Sequence, residues 1–281
     1  MTGAILHYYS TLSFVETLRE IQLNAPQKLV EIVANSDNEK AQLCVGNFVE
    51  MDTKVLSGIY AEISKSVVTL ITDDNLVSAL TRKNVIIPSD LEYGYDIYIQ
   101  IPEHLLKQWK TLLTLIVNQF LTHFEQRNEE NARPILFLLD EFPRLGKVNA
   151  MLDGLATLRG KKICICLIVQ SLAQLDLIYG EKERKVIADT CAYKAILGAT
   201  DADTQEYFSK LVGTYDKKRE SHGENREYYS EVGSNKNANT TTEEKRIVKP
   251  EEFASLADIV LLHPFPKRFC RVEKSPYYVE K

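Results

Sequence analysis

The chain has 281 residues, of which 44% are hydrophobic and 26% charged, an ordinary globular composition that suits one large or two modest domains. Its 34 Lys and Arg against 39 Asp and Glu give a net charge of −5. This balance argues against a protein that coats nucleic acid by bulk charge, but it leaves a local basic strip or a charged pore open. The longest apolar run, residues 163–169, is far shorter than the roughly 20 residues that cross a bilayer, so we expect no transmembrane segment and no signal peptide.

Five cysteines, an odd number, do not indicate a disulfide framework, and we predict a reduced, cytosolic protein. Cys164 and Cys166 stand two apart in a strand-like run and share one face, but no second Cys or His pair follows at ligand spacing. We therefore expect no cysteine metal site.

Residues 1–82 are predicted to form a small all-α unit. Apolar residues recur at a spacing of three to four from Leu12 to Leu70, and no segment alternates with a period of two. Pro26 stands where a helix can open.

The hydrophobic pattern changes at the start of the second predicted region, residues 83–281. Residues 95–101 alternate strictly, as a strand does, and an apolar stripe over residues 105–124 predicts a long helix. Wholly apolar runs then alternate with helical segments. The predicted strands are residues 134–139, 163–169, 193–197 and 259–262, and the predicted helices are residues 149–158, the segment after Ser171, and residues 201–212 with Asp201 as N-cap.

Wholly apolar strands that alternate with helices are typical of a parallel sheet covered on both faces, so the predicted fold class is α/β. Two further segments stand apart from this pattern. Residues 214–246 are polar and are predicted to form a long mobile loop or a floppy hairpin, and residues 267–272 a basic extended tail.

Two adjacent carboxylates, Asp140 and Glu141, directly follow the apolar run 135–139. This is the Walker B arrangement of nucleoside-triphosphate motors, in which the first carboxylate holds Mg²⁺ through its water shell and the second orients or polarises the attacking water. Parallel strands deliver such residues to one rim of the sheet, where ligands bind. The alternative is that Asp140 caps the next helix and Glu141 merely starts a loop.

Gln170 ends the next predicted strand and so falls at the same rim. A neutral amide there can bond a terminal phosphate or the attacking water without adding charge. The alternative is a polar strand end followed by Ser171 as a helix N-cap.

Arg159 ends the helix predicted between those two strands. In a right-handed crossover this helix runs from the active rim to the opposite one, so a catalytic Arg159 would have to serve a neighbouring subunit as an arginine finger. The alternative is a cation favoured by the helix C-terminal dipole, with Gly160 as the residue after the cap.

The sequence lacks the pattern of a phosphate-binding loop. None of the 12 glycines belongs to a G-x-x-x-x-G-K-[ST] pattern, and the nearest fragment, Gly146-Lys147, follows Asp140 instead of preceding a helix. No arrangement of the five histidines indicates nucleophilic or metal chemistry.

Longer motifs around these residues resemble one family. The matching stretches are residues 137–146, 155–160, 168–175, 179–180, 250–252 and 264–278. They resemble the type IV coupling proteins, the TraG/TraD-type motors of bacterial conjugation and type IV secretion. The resemblance covers about residues 80–281, and residues 1–82 look like the later part of the all-α domain that this family inserts into its motor domain.

The resemblance implies a RecA-like ATPase that works as a homo-hexamer at the inner face of the bacterial membrane, anchored by N-terminal helices. It implies ATP and Mg²⁺ as ligands, and relaxase-bound single-stranded DNA and the secretion channel as partners. Residue by residue, Asp140 and Glu141 match the Walker B pair, Gln170 the glutamine of the third motif, and Arg159 a trans-acting arginine. This sequence departs from the family in having neither the membrane anchor nor the Walker A segment, so we expect a C-terminal part of such a protein.

Two hypotheses of function follow from these motifs and this resemblance. The first is a motor that hydrolyses ATP once it is joined to its N-terminal part. The second is a catalytically incompetent module in which the helical region recognises substrates or partners and the sheet is only a scaffold. Another ATPase of type IV secretion is a third reading of the same motifs.

Overall fold

The computed structural model describes residues 1–8, 11–82, 85–128, 132–224, 236–264 and 269–275. They divide into two compact units. The helical unit comprises Met1–Arg133 and Arg144–Val148, and the sheet unit comprises Pro134–Pro143 and Asn149–Lys281. The domain boundary predicted between residues 82 and 83 thus falls inside the helical unit, and it remains a prediction.

The helical unit begins with six α-helices. They are α1 (Thr2–Tyr8), α2 (Phe14–Leu23), α3 (Pro26–Ala34), α4 (Glu39–Val45), α5 (Thr53–Thr72) and α6 (Asp74–Leu80). Their ends carry the expected side chains: Ser13 and Glu16 form a capping box on α2, and Pro26 opens α3. Leu18, Ile21 and other apolar residues of these helices form one buried core.

The α5 helix is long and apolar enough to cross a membrane by length and composition alone, which the apolar-run criterion did not predict. It contributes Val67 and Leu70 to the core of the helical unit, and it also carries Glu62 and Lys65, which pair at 2.7 Å. A core helix passes the same test, so this is weak evidence for a membrane span.

The strand predicted over residues 95–101 is not present in the structure. The structure gives Pro88–Leu91 as a 3₁₀ helix and assigns no strand to residues 95–101. Tyr95 and Tyr98 are exposed, and the alternating pattern has no neighbouring strand to pair with in the described part of the chain. A 3₁₀ turn, Glu103–Leu105, then leads into α7 (Leu106–Glu125), the predicted long helix.

The sheet unit holds seven strands and three α-helices among the described residues. The strands are β1 (Ile135–Leu139), β2 (Ile163–Leu167), β3 (Lys194–Ile196), β4 (Thr214–Glu224), β5 (Lys236–Arg246), β6 (Asp258–Leu262) and β7 (Phe269–Glu273). The helices are α8 (Met151–Thr157), α9 (Leu172–Thr190) and α10 (Ala202–Val212). This mixed content confirms an α/β fold.

The single parallel sheet of the prediction is wrong in detail. Within the described ranges only β1 and β2 pair in parallel, whereas β3, β6 and β7 form a separate antiparallel sheet in the order β3-β6-β7. Phe253 and Val260 lie in the core beside that second sheet. An apolar run shows that a strand is buried, but it does not specify the direction of its neighbour.

The β1–β2 pair is also not covered on both faces by the described residues. Leu136 and Leu138 of β1 are 61% and 58% exposed, and in the register they stand opposite Cys164 and Cys166 of β2, which are exposed too. These four residues form the open face of the sheet unit.

Residues 214–246, which the sequence predicted to be a long mobile loop or a floppy hairpin, include two paired strands. Strands β4 and β5 pair antiparallel from Thr214↔Arg246 to Glu224↔Lys236. Residues 225–235, which connect them, lie outside the described residues, as do 265–268 and 276–281 of the closing stretch. The basic tail predicted over residues 267–272 falls partly in β7.

Candidate active site

The parallel register brings the ends of β1 and β2 together. Leu139 pairs with Leu167, the last residues of the two strands. Backbone bonds continue the contact beyond them, since Ile168 N–H donates to Leu139 O at 3.1 Å and Phe142 N–H donates to Ile168 O at 3.0 Å. Residues 140–141 and residue 170 are therefore held at one rim of the sheet.

At this rim the side chains of Glu141 and Gln170 meet. Gln170 Nε2 donates to Glu141 Oε1 at 3.0 Å. Asp140 lies beside them, exposed, and its Oδ1 accepts from the Glu141 N–H at 3.0 Å. Three of the four residues singled out in the sequence thus lie together, on a surface open to solvent.

Glu141 has a special backbone conformation. Its φ of 45° lies in the left-handed region, where residues other than glycine are uncommon. The next residue, Phe142, is fully buried, and its ring stacks on Tyr179 of α9. A buried ring directly after a left-handed residue fixes the direction in which the Glu141 side chain leaves the strand.

Gln174 is a site residue for which the sequence predicted no role. Its Oε1 accepts from the Gln170 N–H at 3.3 Å, and its Nε2 donates to Gln170 Oε1 at 3.4 Å. The available signal was the S-x-x-Q spacing of Ser171 and Gln174 at the start of α9, which is the pattern of a capping box. In the structure the Gln174 side chain bonds to Gln170, one residue before Ser171.

Ser171 is the N-cap residue of α9, as in the alternative given for this strand end, but its side chain makes no capping bond. The Leu172 N–H donates instead to the buried hydroxyl of Thr204, which in turn donates to Asp201 Oδ2. Asp201 is the predicted N-cap of α10 and also accepts from the Thr204 N–H at 2.9 Å. These bonds lower the pKa of Asp201 below the usual range for an aspartate, and they anchor the segment that follows Gln170.

Arg159 lies at the opposite end of the β1–β2 pair. The α8 helix ends at Thr157, and Lys162, three residues after Arg159, accepts through its carbonyl oxygen from the N–H of Ile135, the first residue of β1. Five residues of strand, about 16 Å, separate that end from the rim that carries Glu141. Arg159 is exposed, and the residue with a left-handed backbone after the helix is Lys162 (φ 57°), not Gly160.

The chemistry of the rim suits a hydrated hard cation better than a fully chelated one. Among the described residues no group of three or more His, Cys, Asp or Glu side chains could hold an ion alone. Mg²⁺ keeps several waters and is bound through one or two carboxylates plus substrate phosphates. The carboxylates of exposed Asp140 and half-buried Glu141, with the Gln170 amide bonded to Glu141, fit that mode.

Comparison with known families gives a match along almost the whole chain. The model of the family described as type IV secretory system conjugative DNA transfer matches residues 2–278. Protein VirD4 of Rhizobium radiobacter is 24% identical over 257 residues, which are 89% of this chain and 36% of that protein. The conjugal transfer protein TraG of Agrobacterium fabrum is 25% identical over 206 residues, 70% of this chain and 31% of that protein. The chain thus spans about a third of the length of these curated relatives.

Solved structures of the bacterial conjugative coupling protein TrwB share the fold. The unbound TrwBdeltaN70 structure superposes with a TM-score of 0.74 at 20% identity and covers 98% of this chain and 60% of that one. TrwB in complex with ADP and Mg²⁺ superposes with a TM-score of 0.72 at 20% identity over the same shares. At this level of identity the likeness concerns the fold.

Proposed function

Because this chain belongs to the type IV secretory system conjugative DNA transfer family, we propose that it is part of a coupling protein, an ATP-driven motor that delivers DNA–protein substrates to a secretion channel. The proposed partners are relaxase-bound single-stranded DNA, components of the channel, and further copies of the same protein in a homo-hexamer at the inner face of the membrane. The observation that supports ATP hydrolysis is the contact between Gln170 and Glu141 at the ends of two parallel strands.

Each rim residue takes one role in the proposed hydrolysis. Asp140 would hold Mg²⁺ through water, and the bound ion would neutralise charge on the phosphates. Glu141 orients the attacking water and accepts its proton. Gln170 bonds the terminal phosphate or the water through its amide. Arg159, at the far end of the strands, serves the site of a neighbouring subunit.

The proposal requires a phosphate-binding loop from outside the 281 residues, since this sequence contains no G-x-x-x-x-G-K-[ST] pattern. Backbone N–H groups and a lysine around the β- and γ-phosphates supply most of the binding and charge neutralisation of a triphosphate. The part of the protein that carries this loop would complete the site beside β2.

The second candidate function is a catalytically incompetent module that binds substrates or partners. The absence of the loop pattern from this sequence favours it. On this reading the helical unit makes the contacts, and the pairing of Glu141 with Gln170 is a structural remnant.

The deciding experiment measures phosphate release by the chain joined to the segment that carries the phosphate loop, with Mg²⁺ and single-stranded DNA present. Glu141→Gln should lower turnover by about 10²–10⁴-fold, the usual contribution of a positioned base. The matched control is Glu181→Gln, which makes the same chemical change at an exposed residue that pairs only on the α9 surface, with Lys185. Relaxase–DNA binding that is indifferent to ATP in a protein that does not hydrolyse it would favour the non-catalytic module, whereas unchanged turnover in Glu141→Gln would show that Glu141 is not the catalytic base.

A further inference from the structure

Three hydrogen bonds run in sequence through the side chains of Gln174, Gln170 and Glu141. The Gln170 N–H donates to Gln174 Oε1 at 3.3 Å, Gln174 Nε2 donates to Gln170 Oε1 at 3.4 Å, and Gln170 Nε2 donates to Glu141 Oε1 at 3.0 Å. Gln174 is half-buried on the first turn of α9. The chain of bonds begins at a backbone group and ends at a carboxylate.

Both ends of this chain have a fixed polarity. A backbone N–H can only donate, so it sets the oxygen of the Gln174 amide toward Gln170. The Gln174 amino group then faces the Gln170 oxygen, and the Gln170 amino group faces Glu141, whose carboxylate can only accept while it is ionised. Reversing the Gln170 amide would place its oxygen against the carboxylate and its amino group against that of Gln174.

We propose that Gln174 is a positioning residue that orients the Gln170 amide so that its hydrogens face Glu141 and the reacting phosphate. The proposal rests on the function proposed above. In that reaction the water oxygen bonds to the terminal phosphorus, the bond from phosphorus to the bridging oxygen breaks, the leaving nucleoside diphosphate keeps the bonding electrons, and the water proton passes to Glu141. An amide that presents its oxygen instead of its hydrogens cannot stabilise the negative charge on the phosphoryl oxygens.

The competing explanation is that Gln174 only caps α9, as an S-x-x-Q residue does. Gln174→Glu separates the two roles. A glutamate still accepts from the Gln170 N–H and adds a favourable negative charge to the first turn of the helix, so the cap is kept. It cannot donate to the Gln170 oxygen and competes with Glu141 for the Gln170 amino group, so the Gln170 amide should no longer be held with its hydrogens toward Glu141.

The first measurement observes the amide directly. The 281-residue chain, labelled with ¹⁵N-glutamine, should show Gln170 amide hydrogens that exchange slowly and shift when Glu141 is changed to Gln. Gln174→Glu should remove the response to Glu141. These spectra use Leu136→Thr and Leu138→Thr, because both side chains are exposed on the open face and polar residues there limit self-association.

The second measurement is turnover in the protein that carries the phosphate loop. Gln174→Glu should lower kcat by about 10- to 100-fold, the effect of misplacing a catalytic group, while KM for ATP and the melting temperature stay near those of the parent. In a Gln170→Ala background the same change should have no further effect, because it acts only through Gln170. Ala173→Glu, an exposed neighbour that adds the same charge to the same turn, is the control and should keep the parent kcat.

A Gln170 amide that responds to Glu141 equally well in Gln174→Glu overturns the proposal, and so does an undiminished kcat. An equal loss of kcat with and without Gln170 also overturns it. If the amide loses its response to Glu141 in Gln174→Glu as expected but the parent protein hydrolyses no ATP, the positioning is supported and the proposed function fails.

Discussion

The ring of Phe142 stacks on the ring of Tyr179, with centroids 5.7 Å apart and planes 23° from parallel. Tyr179 is the last residue of α9 before Gly180, where the helix is broken by a non-helical backbone (φ 77°, ψ 159°). Offset stacking of this kind adds about 0.5–1.5 kcal/mol beyond burial. The residue that follows Glu141 is thus fixed to the same helix whose first turn carries Gln174, so both halves of the candidate site rest on α9.

We predict that the 281-residue chain alone does not turn over ATP. Without backbone N–H groups and a lysine around the β- and γ-phosphates, a triphosphate lacks most of its binding and charge neutralisation. The measurement is steady-state phosphate release by the purified chain with Mg²⁺. Robust turnover that disappears in Glu141→Gln would show that the loop is not essential.

The open face of the β1–β2 pair should make the chain prone to self-association. Among the described residues β2 pairs only with β1, which leaves the other edge of β2 unpaired. Leu136 and Leu138 of β1 are exposed on the open face. The chain should express poorly alone and improve when it is co-expressed with the segment that carries the phosphate loop. Size-exclusion chromatography and thermal melting report the outcome.

Two substitutions serve as the matched pair for that test. Leu138→Thr should reduce association with little loss of stability, because Leu138 is 58% exposed. Ile135→Thr changes a β1 residue that is 7% exposed and should destabilise the fold by about 1–3 kcal/mol. A soluble monomer that melts cooperatively without either change would contradict this prediction.

Arg159 is expected to act across a subunit boundary. The strand length of about 16 Å between its end of the sheet and the rim prevents a contact with Glu141 of the same chain. In the protein with its phosphate loop, Arg159→Ala should lower turnover by about 10³–10⁵-fold, the contribution of an arginine finger, without unfolding the protein. A merely structural cation near the end of α8 would contribute about 0.3–1 kcal/mol to stability and nothing to turnover.

Mixing distinguishes a trans from a cis arginine. Glu141→Gln and Arg159→Ala should each be inactive alone, and mixed assemblies should regain part of the activity, because some interfaces then pair an intact Glu141 with an intact Arg159. Near-normal turnover in Arg159→Ala would make the residue structural. Two inactive variants that regain nothing on mixing would place the arginine in its own subunit's site.

Asp73 should make the junction of α6 and α7 sensitive to acid. Its Oδ2 accepts from Trp109 Nε1 at 3.1 Å and from Gln108 Nε2 at 3.0 Å, and its Oδ1 accepts from the Leu76 N–H at 3.1 Å. The bond from Trp109, followed by the backbone bond from Leu76, lowers the pKa of Asp73 below the usual range. A depressed pKa in the folded state gives stability that is fully present above the unfolded pKa of about 3.9 and is lost as the pH falls through the folded value.

The chain has one tryptophan, so its fluorescence reports this junction directly. The emission of Trp109 should change only as the pH falls below the usual aspartate range, and Asp73→Asn should abolish that change. Asp52→Asn is the control, since Asp52 caps α5 through the Lys54 N–H at 2.8 Å and does not bond the indole. An identical acid transition in Asp73→Asn would mean that another group titrates.

Local signals in the sequence predicted the parts of the fold that depend on neighbours along the chain. Asp201 was predicted as an N-cap and is one, because its bond to Thr204 spans three residues. The meeting of Glu141 with Gln170 was predictable because parallel strands deliver their carboxyl ends to one rim. Residues 95–101 show the opposite case, since alternation makes a strand only if another strand pairs with it.

The contacts of Gln174 could not be predicted from the sequence for a related reason. No role was predicted for it, because its spacing from Ser171 fits a capping box equally well and its bonds to Gln170 depend on where β2 ends. The antiparallel direction of β6 against β3 likewise depends on the path of the chain between them. Apolar periodicity carries no information on either point.

The left-handed backbone of Glu141 has a consequence for the stability of the fold. A side chain at φ 45° costs about 1–2 kcal/mol relative to glycine. Glu141→Gly relieves this strain but removes the carboxylate that accepts from Gln170 Nε2, so a melting temperature above that of the parent would show that the strain outweighs the contact. In that case the rim would carry its carboxylate at a cost in stability, as residues that break a local rule at functional sites do.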